Sequence, residues 1–201
     1  MNPQLYPGLT PFSEEEARFF FGREEQERKI ARSLYVSRLT VLLGESGVGK
    51  SSILEAGVLP IVHRNAKQRR EAGKPHLVVV VFRDWHQQNP LKELLEKIRD
   101  SVAEAMNMNP THLQMEPTPT ESLQVWTKKL GGGQGFGQLF LILDQFEEYF
   151  QYHAREAGAG TFADEFPRWV NRSDLLVNFL IAMRQDALAK LDRFHERILN
   201  I

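Results

Sequence analysis

Four short stretches of the chain are largely apolar with no alternating polar face: Arg38 to Leu43 (RLTVLL), Leu77 to Phe82 (LVVVVF), Leu139 to Leu143 (LFLIL) and Leu175 to Met183. Runs of this length and composition predict strands covered on both sides, as in a parallel sheet. Between them the apolar positions recur at helical spacing. A helix is predicted over Glu24 to Tyr35, with Ile30 and Leu34 on one face, and another from about Lys50 to Leu59, ended by Pro60. Asn89-Pro90 opens a helix to about Met106 with Leu91, Leu94, Leu95 and Ile98 as its stripe. Further helices are predicted over Glu121 to Leu130, from Phe162 to Trp169, and from about Gln185 to Arg197. Strands alternating with helices predict a parallel sheet with helices on both faces.

The remaining segments read as connections. The first 12 residues, rich in proline and glycine, form an arm, and Ser13 with Glu16 has the spacing of a capping box. Residues 63 to 75 are polar and basic, and 107 to 120 hold several prolines; both read as loops. Glycines between 131 and 137 mark a turn. No repeat is present and one domain is expected. It divides into an N-terminal arm and helices (1–35) and a parallel-sheet core (36–201). Ile198 to Ile201 (ILNI) reads as the opening of a fifth strand, so the chain reads as a piece of a longer protein.

Composition narrows the classes. A formal net charge of -1 gives no basic field for a nucleic-acid binder. The absence of cysteine excludes disulfides and thiol chemistry within the chain. No segment has the unbroken apolar length of a membrane span, and the N-terminus lacks a signal-peptide pattern. The cytoplasm is the expected location.

Gly44, Gly49, Lys50 and Ser51 complete G-x-x-x-x-G-K-[ST], set between a strand and a helix. In that context the amides of Gly44-Glu45-Ser46-Gly47-Val48-Gly49-Lys50-Ser51-Ser52 converge on a phosphate at a helix start. Lys50 is expected to reach phosphate oxygens, and the Ser51 hydroxyl to ligate magnesium, which prefers oxygen. Glu45, Ser46 and Val48 are loop positions with no side-chain chemistry assigned. A glycine-rich helix start is the plain alternative, and it does not account for the whole pattern in this setting.

Asp144 follows the third strand directly, in LFLILDQFEE. A carboxylate there lies in the crevice where open sheets bind ligands and is expected to hold magnesium, mostly through water; the plain alternative is a helix cap. Glu147 and Glu148 follow, and one of them is expected to polarise a water for attack on a γ-phosphate. Gln145 is a further candidate for positioning water. The fourth strand ends in Arg184, whose forked donors suit a γ-phosphate. Asp186 either orients Arg184 or caps the last helix, the cap being favoured. After the second strand, Arg83 or His86 points toward phosphate on one reading and holds the strand end on the other, which is favoured. The cluster Arg64, Lys67, Arg69, Arg70 and Lys74 reads as a solvated loop.

These residues together resemble the novel STAND NTPases of bacteria, P-loop signal-transduction ATPases. The resemblance rests on YPGLTPF (Tyr6 to Phe12), FFGREEQ (Phe20 to Gln26), GESGVGKSSILEAGVLP (Gly44 to Pro60), LILDQFEEYF (Leu141 to Phe150) and, more loosely, IAMRQDAL (Ile181 to Leu188). It implies a three-layer α/β P-loop NTPase of the ASCE/STAND type. It also implies that the Arg184 strand lies between the phosphate-loop strand and the Asp144 strand. Phe21, Gly22 and Arg23 would then lie near the base and ribose, as the equivalent block does in NACHT and NB-ARC proteins. Lys50, Ser51 and Asp144 would serve phosphate and magnesium. Glu147 and Glu148 would match the acidic pair, with Glu148 as general base, and Arg184 would be the sensor arginine. Such proteins use ATP and ADP as a switch controlling self-association, with C-terminal repeat sensors and varied effectors. The segment RDWHQQNP departs from the RPG-x-x-P of many relatives. The chain is expected to stop short of the family's lid and winged-helix regions. A P-loop kinase and a non-hydrolytic scaffold are the competing readings; a nucleic-acid motor is the weakest.

Overall fold

The computed structural model describes residues 22–133 and 135–198. The N-terminal arm, the helix expected from Ser13, Phe21, and residues 199–201 of the expected fifth strand lie outside the described residues. The strands are β1 (Leu39–Gly44), β2 (Leu77–Phe82), β3 (Gln138–Leu143) and β4 (Val177–Arg184). All pair in parallel, in the order β1-β4-β3-β2. The Arg184 strand therefore does lie between those of the phosphate loop and Asp144.

Alternation within the central strands sorts their side chains into two cores. Phe140, Ile142, Leu180 and Ala182 face a core shared with α1 (Glu24–Val36), a π-helical turn (Ile53–Val58) and α3 (Leu59–Glu71). Leu139, Leu141, Leu143, Phe179, Ile181 and Met183 face a larger one. That core is closed by α4 (Pro90–Ala105), α5 (Pro119–Leu130), α6 (Glu147–Tyr152), α7 (Phe162–Asn171) and α8 (Asp192–His195). The result is a three-layer α/β fold whose middle strands are apolar on both faces because both are covered.

Three expectations are corrected. Pro60 does not end the helix that follows the phosphate loop. A first turn, α2 (Lys50–Ser52), passes into the π-helical turn and then into α3, which runs to Glu71. Leu59 N–H bonds to Leu54 O across the wider turn, and Pro60 is accommodated directly after this turn as the helix continues. Arg64, Lys67, Arg69 and Arg70 of the basic cluster are consequently helical, the first, second and fourth on the exposed side of α3, while Lys74 follows the helix. Helix α5 starts at Pro119, two residues early, because Thr118 and Glu121 form a capping box. The final helix is mostly replaced by a 3-10 segment, Gln185–Leu191, before the short α8. Its apolar rhythm survives in buried Ala187, Leu191, Phe194 and Ile198, so packing is kept while the hydrogen-bond pattern tightens.

One basic residue fastens the sheet at the end away from the phosphate loop. Arg38, just before β1, donates from Nε to Val170 O (3.0 Å) and from Nη2 to Arg172 O (2.7 Å). It also donates to Trp169 O, Leu175 O and Val177 O. Five carbonyls of the α7–β4 connection thus share one guanidinium, which also lies over the Phe179 ring, 5.5 Å from its centroid. Burial lowers its pKa to about 10, so it keeps its charge at neutral pH.

Candidate functional site

The loop from β1 to α2 owes its shape to glycine at specific positions. Gly47 and Gly49 take φ of +77° and +84°, a region that side chains disfavour. A Cβ on Gly44 would lie 2.8 Å from Val48 Cγ2. Lys50 opens α2 and folds back, its Nζ donating to Gly44 O (2.9 Å) and Glu45 O (2.8 Å). Ser51 is partly exposed and Ser52 buried. From the start of α1, Arg23 reaches this loop and donates from Nη1 to Val48 O (2.8 Å). A cleft of about 470 Å³ lies between α1, β1 and the loop, lined by Arg23, Ile30, Thr40, Val48, Lys50 and Ile53 among others. Arg23 therefore stands beside the phosphate loop with Gly22 preceding it, while Phe21 is outside the described residues.

Parallel pairing brings the other expected residues to the same sheet edge. Gly44 is in register with Arg184, and Leu143, preceding Asp144, with Ile181. Arg184 donates from Nε to Asp186 Oδ1 (3.0 Å), and its Nη2 also pairs with Asp186. That hydrogen bond holds the Asp186 carboxyl below the usual range. Asp186 thus orients Arg184 rather than capping a helix. The two border a cleft of about 400 Å³ with Glu45 and Ser46 of the loop.

The acidic turn is fixed from beneath by aromatic packing. Phe146, Tyr149 and Phe150 of DQFEEYF enter the larger core with Trp85, Phe162 and Phe194. Trp85 Nε1 donates to the Asp144 backbone oxygen at 2.7 Å. Gln145 adopts φ of +53°, uncommon for a residue with a Cβ, and its N–H bonds to Asp144 Oδ1 (2.9 Å). This sharp turn starts α6 at Glu147 and puts both glutamates at the strand end. Their surroundings differ. Glu147 Oε2 accepts the backbone N–H of Arg184 at 3.1 Å and so ties β4 to the turn. Glu148 has its pKa raised, first by burial and then by the charges of Glu147 and, more weakly, Asp144, with His86 acting the other way.

Asp144 is only 1% exposed. Its Oδ2 lies 3.1 Å from Arg83 Nη2, within ion-pair reach, yet no hydrogen bond to it is aligned. Arg83 follows β2 and its Nη1 contacts Glu55 Oε1 of the π-helical turn at 2.5 Å. The strand-end role favoured for Arg83 is therefore what it has here, although its partner is the carboxylate expected to serve magnesium. Glu55 was not singled out in the sequence; its only signal was a charge one turn beyond Ser51 on an otherwise apolar helix. His86 remains exposed and contacts Gln87. Among the described residues no group of three or more His, Asp or Glu could hold a metal unaided.

A phosphate loop at the end of β1, with an aspartate and an arginine on the ends of parallel strands beside it, defines a P-loop NTPase. The chain belongs to the Novel STAND NTPase 1 family, whose pattern it matches over residues 6–200. Solved structures share the fold at low identity. The Walker-type ATPase PABY2304 of Pyrococcus abyssi superposes with a TM-score of 0.51 at 17% identity, covering 94% of this chain and 51% of its own. The ORC2 protein of Aeropyrum pernix, in its ADPNP and ADP complexes, gives 0.58 at 15% identity, covering 96% and 47%. This chain thus spans about half the length of those proteins. No curated protein sequence matches it significantly. Among the described residues no helix is long and apolar enough to cross a membrane.

Proposed function

We propose that this chain is the nucleotide-binding core of a STAND signalling ATPase. It binds ATP and ADP with magnesium and hydrolyses ATP slowly, as the timer of a conformational switch. In that role it belongs to a larger cytoplasmic protein whose lid, sensor repeats and effector lie outside this sequence, and whose self-association the nucleotide controls. The observation that carries the reading is the register: Gly44 opposite Arg184, with Asp144 on the next strand end and its buried Oδ2 lacking an aligned hydrogen bond.

The residues present fit a magnesium ion. A buried carboxylate oxygen without its own hydrogen bond, at the sheet edge that carries the phosphate loop and its serine, is the kind of oxygen donor a hard cation takes alongside phosphates and water. Asp144 and Ser51 would hold it, and it would neutralise charge on the phosphates. Lys50 exchanges the Gly44 and Glu45 carbonyls for phosphate oxygens, a switch from neutral to charged acceptors. Arg23, Val48 and Ile30 border the cleft that takes the base and ribose.

For hydrolysis, Glu148 accepts a proton from water as its oxygen bonds to the γ-phosphorus and the bond to the bridging oxygen breaks. Its raised pKa brings its basicity closer to neutral pH, whereas Glu147 is engaged by the Arg184 N–H. Arg184 stabilises charge on the transferring group once it exchanges Asp186 for phosphate. Equilibrium binding of ATP, ADP and GTP to the purified chain, with magnesium or with chelator, tests the reading. Adenine preference and magnesium-dependent ATP affinity are expected; absence of nucleotide binding overturns it.

A further inference from the structure

Arg83 is shared between two carboxylates of different character. Asp144 is buried, at 1% exposure, and among the described residues Arg83 is the cation paired with it; Glu55 is partly exposed. The shorter contact is to Glu55, at 2.5 Å against 3.1 Å. Arg83 is itself incompletely held, since its Nε has no hydrogen-bond partner among the described residues. Beyond the pair lies a cleft of about 310 Å³ lined by Glu55, Leu59, Val81, Arg83 and Lys97. The guanidinium thus has a second carboxylate and open space on the side away from Asp144.

A buried carboxylate without a countercharge is costly, so Asp144 needs a cation when no nucleotide is present. We infer that Arg83 is that cation, an internal stand-in that holds the Asp144 carboxylate ready and withdraws to Glu55 when magnesium arrives with nucleotide. This rests on the proposed magnesium role of Asp144. Two cations at one carboxylate repel, so Arg83 and magnesium compete, and Glu55 sets the balance by accepting the displaced guanidinium. Arg83 is accordingly a positioning residue that tunes magnesium affinity, and the π-helical turn is the element that places Glu55 within its reach.

The two partners of Arg83 make opposite predictions. The magnesium concentration at half-maximal binding of a fluorescent ATP analogue, held at one fixed concentration, is measured for the 201-residue chain and its variants, along with melting temperature in chelator. Arg83→Gln removes the competitor, and the magnesium midpoint should fall about 3–10-fold, while the chelated protein melts lower because Asp144 loses its partner. Glu55→Gln removes the place of retreat, so Arg83 stays on Asp144 and the midpoint should rise by about the same factor. The emission of Trp85, which donates to the Asp144 carbonyl, gives an independent signal of the exchange. Shifts in the same direction, or midpoints within twofold of the parent in both variants, overturn the inference; if Arg83→Gln does not fold, the direction for Glu55→Gln decides alone. A parent chain that binds ATP without regard to magnesium removes the reading of Asp144 as well.

Discussion

Two arginines stand at opposite ends of the same sheet. Arg38, at the end where β1 and β4 begin, gives its guanidinium to five backbone carbonyls. Arg83, at the end where the strands finish, touches two carboxylates and leaves Nε unpartnered. At the first end the guanidinium is spent on the protein's own backbone. The second keeps polar groups half-satisfied: Asp144 Oδ2 without an aligned hydrogen bond, Lys50 on two neutral carbonyls, Glu148 with a raised pKa. Buried polar groups are normally satisfied, and two of the four described buried side-chain atoms without a hydrogen bond, Arg83 Nε and Asp144 Oδ2, lie at the edge that carries the phosphate loop. The sheet joins the two: a rigid closed end positions the open one.

The largest effect should come from breaking the closed end. Arg38→Ala removes the side-chain donor of five carbonyls, of which those of Trp169, Arg172 and Leu175 keep a backbone donor, and is expected to cost about 3 kcal/mol of stability, read as a lower denaturation midpoint with the same m-value. Arg38→Lys should recover only part of this, because one ammonium with three donors cannot span five acceptors. Nucleotide affinity of the folded fraction should be little changed in either variant.

At the open end the effects should fall on function instead. Glu148→Gln should lower single-turnover hydrolysis by about a hundredfold while ATP binding persists, measured on an assembly that turns over; full turnover in that variant would move the base to Glu147 or reject the assignment. Lys50→Ala should weaken ATP binding by about thirtyfold, by titration calorimetry, with the melting temperature nearly unchanged, since its partners in the free chain are only two loop carbonyls.

The smallest effect sharpens the contrast between the two glutamates. A raised pKa means that Glu148 holds its proton at a pH where an ordinary glutamate has lost it. Hydrolysis needs the carboxylate, so the acid limb of the rate should have its midpoint above the usual glutamate range. Glu147→Gln removes a charge that helps raise it while keeping an acceptor for the Arg184 N–H, and should move that limb to lower pH. The linked stability runs the other way: the folded chain favours protonated Glu148, and this contribution is lost as pH rises through the folded pKa.

The strands and the phosphate loop were legible in the residues alone because their causes are local. An apolar run such as LVVVVF has no face to give to water, and Gly47 and Gly49 permit a backbone that few other residues accept. Strand order was legible only through family resemblance, since any of several crossovers satisfies the same apolar pattern. Helix limits failed where hydrogen bonding departed from the ordinary ladder, at the π-helical turn before Pro60 and the 3-10 segment after Arg184. What tertiary structure alone decided is the pairing of distant charges: that Arg83 takes Asp144 and Glu55, and that Glu147 is tied to β4. A residue's backbone preference is set by its neighbours along the chain. Its electrostatic partner is set by which strand ends come to lie side by side, and that is fixed only when the sheet is assembled.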